Sequence, residues 1–230
     1  MSGRLVLDSF RLRLPRRRRR RGAGPRYNGV RCVSVVGFAT FLLFGESAVA
    51  QRADRPDVKV GDRWSFAVWF TVPTTTPNRD WQITSVTDAG IEGTENGEPL
   101  SLTRELNVIE SPRSKESNPR LLAFPLVVGA RWRYETEWVF KPKNARGNAT
   151  VEVVVVAYEK VTVPAGELEA FKLTSREALG GTSPIGSQYA GETTRTYWYA
   201  PAARAIVKSV SHSPYLGPST VELVGLELRP

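Results

Sequence analysis

From residue 58 onward apolar and polar positions alternate with a period of two. In 63–72, Trp64, Phe66, Val68, Phe70 and Val72 alternate with Arg63, Ser65, Ala67, Trp69 and Thr71, which places one apolar set on one face of a strand. The same reading predicts strands over 81–87, 91–95, 100–109, 131–140, 149–163, 168–175, 193–200, 205–210 and 221–228. Turn chemistry separates them. Asn96-Gly97 is a tight-hairpin signal because both residues tolerate positive φ, and Val163-Pro164-Ala165-Gly166 sets a turn with a fixed proline φ. The segments 73–78, 110–120 and 177–191 read as loops, the last being the longest and rich in Gly and Ser.

No sustained helical period occurs between 51 and 230, so the fold class is all-β. Val58-Lys59-Val60-Gly61-Asp62-Arg63-Trp64 matches Leu126-Val127-Val128-Gly129-Ala130-Arg131-Trp132 at an offset of 68 positions. The expected architecture is therefore a strongly curved antiparallel sheet, a half-barrel or sandwich, built from two related β-meanders over about 58–110 and 121–230. Several strands are apolar on both faces: Val151, Val153 and Val155 oppose Val154, Val156 and Tyr158, and Tyr197 and Tyr199 oppose Trp198. Such strands are either covered by a second layer or line a cavity.

Charge changes the picture of the first 50 residues. They hold 11 of the 32 Lys and Arg and 2 of the 23 Asp and Glu, which leaves 21 of each in 51–230 and makes that part neutral. The run Arg16 to Arg21 is followed by an uncharged stretch of 14 residues, Cys32 to Gly45, and by Ala48-Val49-Ala50. A spanning helix needs about 20 apolar residues, whereas this length and the small residues before Gln51 fit a cleaved signal peptide. The expected organisation is a basic leader with a signal peptide over 1–50, a tether over 51–57 and one β domain over 58–230. The cleaved chain keeps no stable membrane span and has no charge excess for nucleic acid. Its compartment is periplasmic or secreted, and it carries no cysteine, hence no disulfide.

Three features resemble a group of exported bacterial proteins of unknown function over about 121–210. They are Val128-Gly129 with Trp132 and Tyr134, the hairpin from Val161 through Val163-Pro164-Ala165-Gly166 to Lys172, and Tyr197-Trp198-Tyr199-Ala200-Pro201 followed by Ile206-Val207-Lys208. The resemblance implies fold and compartment but no activity. More loosely, the pattern is similar to the half-barrels of periplasmic lipoprotein carriers, whose concave aromatic face holds acyl chains.

Catalytic chemistry has little to stand on. His212 is the only histidine and reads as a solvated turn residue; no G-x-S-x-G elbow is present, and the aspartates lie far from it in sequence. One histidine and no cysteine after residue 50 make nitrogen or sulfur metal sites improbable, and no cofactor is expected. Glu135, Glu137, Glu152 and Glu222 could pair for glycoside cleavage, but Glu135 and Glu137 share a face with Arg133 and read as a wet surface. The remaining lead is aromatic. Trp64 and Trp132 read as core, while Trp69, Tyr158, Tyr197 and Tyr199 are the expected lining of a groove for an apolar ligand, provided they share a face. The expected function is an exported, non-catalytic binding protein of the bacterial envelope for an apolar or lipid molecule. The alternative is a structural or protein-interaction module of the periplasm whose partner is an envelope protein.

Overall fold

The computed structural model describes residues 51–70, 78–183, 185–213 and 217–230. The expected leader and signal peptide, and all but the last residue of the expected loop over 73–78, lie outside the described residues. The described residues form fourteen strands: β1 (Arg52–Ala53), β2 (Arg63–Phe70), β3 (Arg79–Val86), β4 (Ile91–Glu95), β5 (Glu98–Leu102), β6 (Val108–Glu110), β7 (Ser114–Glu116), β8 (Leu126–Val127), β9 (Arg131–Phe140), β10 (Ala145–Val163), β11 (Gly166–Thr182), β12 (Gln188–Ala200), β13 (Ala205–Ser213) and β14 (Gly217–Glu227). Single 3-10 turns at Lys141–Lys143 and Pro201–Ala203 are the only helical pieces among these residues.

All-β and antiparallel hold; the half-barrel does not. Twelve strands close into one antiparallel barrel in the order β10-β11-β12-β13-β14-β2-β3-β4-β5-β6-β7-β9, and β1 and β8 form a separate pair. Closure comes from two pairings that sequence proximity does not suggest. β14 runs along β2 from Ser219 opposite Phe70 to Glu227 opposite Arg63, and β9 pairs with both β7 and β10. Register shifts at Ile83/Ser85, Val155/Ala157, Trp198/Tyr199 and Leu223/Gly225 supply the extra residues by which strands bend around a closed interior. The barrel wall thus covers its own inner apolar face, so no second sheet is needed.

The alternation is visible in the walls. Ala149, Val151, Val153 and Val155 are buried inside, whereas Arg133, Glu135, Glu137, Glu152, Arg176 and Glu192 are exposed on the outer face. One end of the barrel is packed solid around Trp64, Phe171, Tyr199 and Leu223, all at most 1% exposed. Leu122 and Leu126 from the segment between β7 and β9 are buried in the same core, and Asn107 clamps that segment by giving Nδ2 to the Leu122 carbonyl (2.9 Å) and accepting the Leu122 N–H on Oδ1 (2.7 Å).

Three local expectations change. The expected loop over 177–191 is mostly strand, because β11 continues to Thr182 and β12 begins at Gln188. Gly147, Gly180 and Gly181 let the ends of β10 and β11 approach so closely that a Cβ at Gly147 would strike the Gly180 carbonyl. The expected strand over 100–109 breaks at Leu106, whose φ is 65°, and the following polar stretch holds the short β6–β7 hairpin. Within the expected tether, Arg52 and Ala53 pair with Val127 and Leu126, and Ala53 is buried.

The two copies of the V-G-x-R-W pattern adopt the same turn. Gly61 and Gly129 have φ of 91° and 90°. Each gives its N–H to a strand carbonyl, Ile83 (2.9 Å) or Val155 (2.8 Å), and each of those residues gives its own N–H back, to the Asp62 or the Ala130 carbonyl. Both acceptors lie at a bulge.

Candidate functional site

Between the packed end and the end that carries Lys143 and Ser183, the barrel encloses a cavity of about 610 Å³. Inward positions of β2, β3, β9, β10 and β12 supply its walls, among them Trp64, Phe66, Trp81, Trp138, Val151 and Tyr197. These are the residues that period-two alternation turns inward, so the lumen follows directly from the pattern.

A polar band crosses this apolar interior. Tyr134, Val151, Glu177 and Thr193 occupy one cross-strand row over β9 to β12, and Trp132, Val153, Ser175, Arg195 and Ser211 occupy the next. Within the band, Arg195 Nη1 lies 3.0 Å from Glu177 Oε1, Ser175 donates its hydroxyl to the same oxygen (3.1 Å), and Arg195 Nε reaches Ser211 Oγ at 3.4 Å. The open part of the Arg195 side chain faces the lumen. Burial works against its charge, but Tyr197, Glu177 and Glu116 more than offset that and hold it protonated. Burial also pushes the Tyr134 and Tyr197 hydroxyls up, so both stay neutral donors.

Glu116, on β7, faces this band. Burial raises its carboxyl to about 6, with Arg195 pulling it down and Glu177 pushing it up. Its cross-strand partner is Trp138, whose ring lies 6.1 Å from that of Tyr189. A second pair sits on β3 and β4: Glu95 Oε2 accepts the Trp81 indole N–H at 3.0 Å, and Arg79 Nε stands 4.0 Å from Glu95 Oε1 with no hydrogen-bond partner among the described residues. Burial lowers the Arg79 guanidinium, partly countered by Glu95.

The four expected groove residues do not share a face. Tyr197 lines the lumen; Tyr199 is 1% exposed in the packed end, edge-on to Phe124. Tyr158 follows the bulge in β10 and meets Phe171 edge-on at 4.8 Å in the same packed region. Trp69 is 55% exposed, since its parity is opposite to that of Trp64 and Phe66. Trp64 and Trp132 are tied by their indole N–H groups to the Ala203 and Arg120 carbonyls; Trp64 is core as expected. His212 is exposed on β13 rather than in a turn, and Glu135, Glu137 and Glu152 stand on the outer face. Sequence reasoning missed Glu116, Glu177 and Arg195. Two of them lie in stretches expected to be loop, but Arg195 shares the parity of Tyr197 and Tyr199, and a charge on an apolar face was a usable signal.

No family model matches the chain, and no curated protein matches it by sequence. Among solved structures, a candidate lipoprotein of Parabacteroides distasonis ATCC 8503 is 14% identical with a TM-score of 0.50, over 76% of this chain and 98% of that one. The fold is shared. A candidate exported protein of Bacteroides fragilis NCTC 9343 with a YmcC-like fold is 14% identical (TM-score 0.46, 76% of this chain and 99% of that one). The hypothetical lipoprotein YmcC of Escherichia coli is 12% identical (TM-score 0.41, 74% and 85%).

Proposed function

We propose that this protein is exported to the bacterial envelope, or secreted, and there holds an apolar or amphiphilic small molecule inside its barrel, without catalysing a reaction on it. The observation that carries the reading is the lumen itself: about 610 Å³, walled mainly by aromatic and aliphatic side chains and crossed by a few convergent polar groups. That volume falls within the roughly 300–1,000 Å³ of small-molecule sites, and the mixture of apolar wall and few polar groups is their usual composition. Export is supported by the segment ending at Ala48-Val49-Ala50.

Glu116 and Glu177 do converge in the lumen, the arrangement on which carboxylate catalysis would rest. Glu177 Oε1, however, is taken by both Arg195 and Ser175, which makes it a counter-ion rather than a free base or nucleophile. The test is native mass spectrometry of the protein purified after expression of the full chain with its own leader, followed by organic extraction. A stoichiometric apolar or amphiphilic molecule is expected. Full-occupancy apo protein that also fails to take up a neutral apolar probe would overturn the reading.

A further inference from the structure

The charges inside the lumen do not balance. Away from Lys143, which is exposed, the lining carries the guanidinium groups of Arg79 and Arg195 and the carboxylates of Glu95, Glu116 and Glu177. Glu177 is engaged by Arg195 and Ser175, and Glu95 by the Trp81 indole with Arg79 beyond it. Glu116 is left over: among the described residues its neighbours act on it through space, and none of them hydrogen-bonds it. It sits beside an aromatic wall, with Trp138 directly across the strand pair and Tyr134 in the same field. Independently, the hydroxyl of Thr193, a residue 1% exposed and opposite Glu177, lines the lumen with no hydrogen-bond partner among the described residues. A buried hydroxyl without a partner costs free energy, and one facing a cavity is completed by whatever fills it.

We propose that the lumen selects an amphiphile whose head is a protonated amine, with the ammonium against Glu116 and the aromatic wall, and the tail along the apolar lining. This rests on the reading of the lumen as a binding site. An ammonium supplies three donors, which suits a carboxylate and a hydroxyl, and an aromatic face adds attraction to a cation. An anionic head would have to displace Glu177 from Arg195, and at Arg79, whose Nε has no hydrogen-bond partner among the described residues, it would still face the Glu95 carboxylate 4.0 Å away.

The test uses protein from the full chain and the neutral fluorescent probe N-phenyl-1-naphthylamine at pH 7.5, displaced by decylamine, decanoate or decanol. Decylamine is expected to displace the probe at a concentration about tenfold below decanoate, the size of one charge-assisted contact. Glu116→Gln is expected to remove that advantage, read as the ratio of decylamine to decanoate displacement. A second measurement needs no variant. The groups facing Glu116 are Tyr134 from β9, Glu177 from β11 and Arg195 from β12; Arg195 stays charged and Tyr134 stays neutral. Lowering the pH from 7.5 to 5 therefore protonates most of Glu116 and narrows the amine's advantage over decanol, which carries no charge at either pH, in the unaltered protein. Equal or tighter displacement by decanoate, or an amine preference that survives both Glu116→Gln and pH 5, overturns the head-group assignment while the binding site stands. Failure of the probe and all three competitors to bind overturns both.

Discussion

Glu116 is a carboxylate whose burial disfavours its charge, and stability should report it. The folded group titrates at about 6 against 4.5 for the free side chain, so the folded protein binds the extra proton between those values. Its contribution is therefore most favourable below pH 4.5 and is lost as pH rises through 6. Glu116→Gln should raise unfolding free energy at pH 8 by at most about 2 kcal/mol relative to the parent, the equivalent of that shift, and by little at pH 4. Urea titrations at the two pH values measure the difference. Asp62 is a buried carboxylate with its partners in place. It is fully buried and accepts from the Lys59 N–H (2.9 Å), the Arg229 N–H (2.7 Å) and Arg204 Nη1 (3.0 Å), tying the start of β2 to the chain's last residues. Asp62→Ala leaves the Arg204 charge and two N–H groups without their acceptor, and a loss of about 3–5 kcal/mol is expected in the same assay. Trp69→Ser, on the outer face, should change stability by no more than about 0.5 kcal/mol and leave probe binding intact.

Among the elements, the long β10–β11 hairpin carries much of the lumen wall, and its far end depends on glycine. Gly147→Ala drives a methyl group into the Gly180 carbonyl, and a cost of about 1–3 kcal/mol is expected from thermal unfolding. Strand existence was legible in the sequence because period-two alternation is local: β4 and β9 match their expected bounds residue for residue, and Asn96-Gly97 forms the expected hairpin with φ of 54° and 85°. Strand length was less legible. The extension of β11 and β12 rests on pairing between partners, which Gly and Ser in the sequence disguise. Closure and the common-face test for the aromatics were illegible for a related reason. A bulge moves every later residue on its strand to a new register, so the parity that joined Tyr158 to Tyr197 does not survive Val155/Ala157. The outer face of β9–β12 carries charges. Transmembrane barrels present an apolar band outward, whereas these strands present Glu135, Glu137, Glu152 and Arg176.

For the molecule as a whole, the lumen is the feature to perturb. Ala149 is buried and lines it, and Ala149→Trp would fill space there without touching the packed end. Probe binding is expected to fall by at least about tenfold, the equivalent of roughly 1.4 kcal/mol, with the fold retained by circular dichroism. Unchanged probe affinity in that variant would place binding elsewhere. Closure also has a consequence in time. The ring is completed by β14 lying along β2, a pairing between nearly the first strand and the last. Pairings so distant in sequence form slowly, because the chain entropy between them is lost before any contact offsets it. A chain delivered N-terminus first therefore waits with β2 unpaired on one side until Gly217–Glu227 arrives. Its lumen is walled on every side only once that last strand is in place.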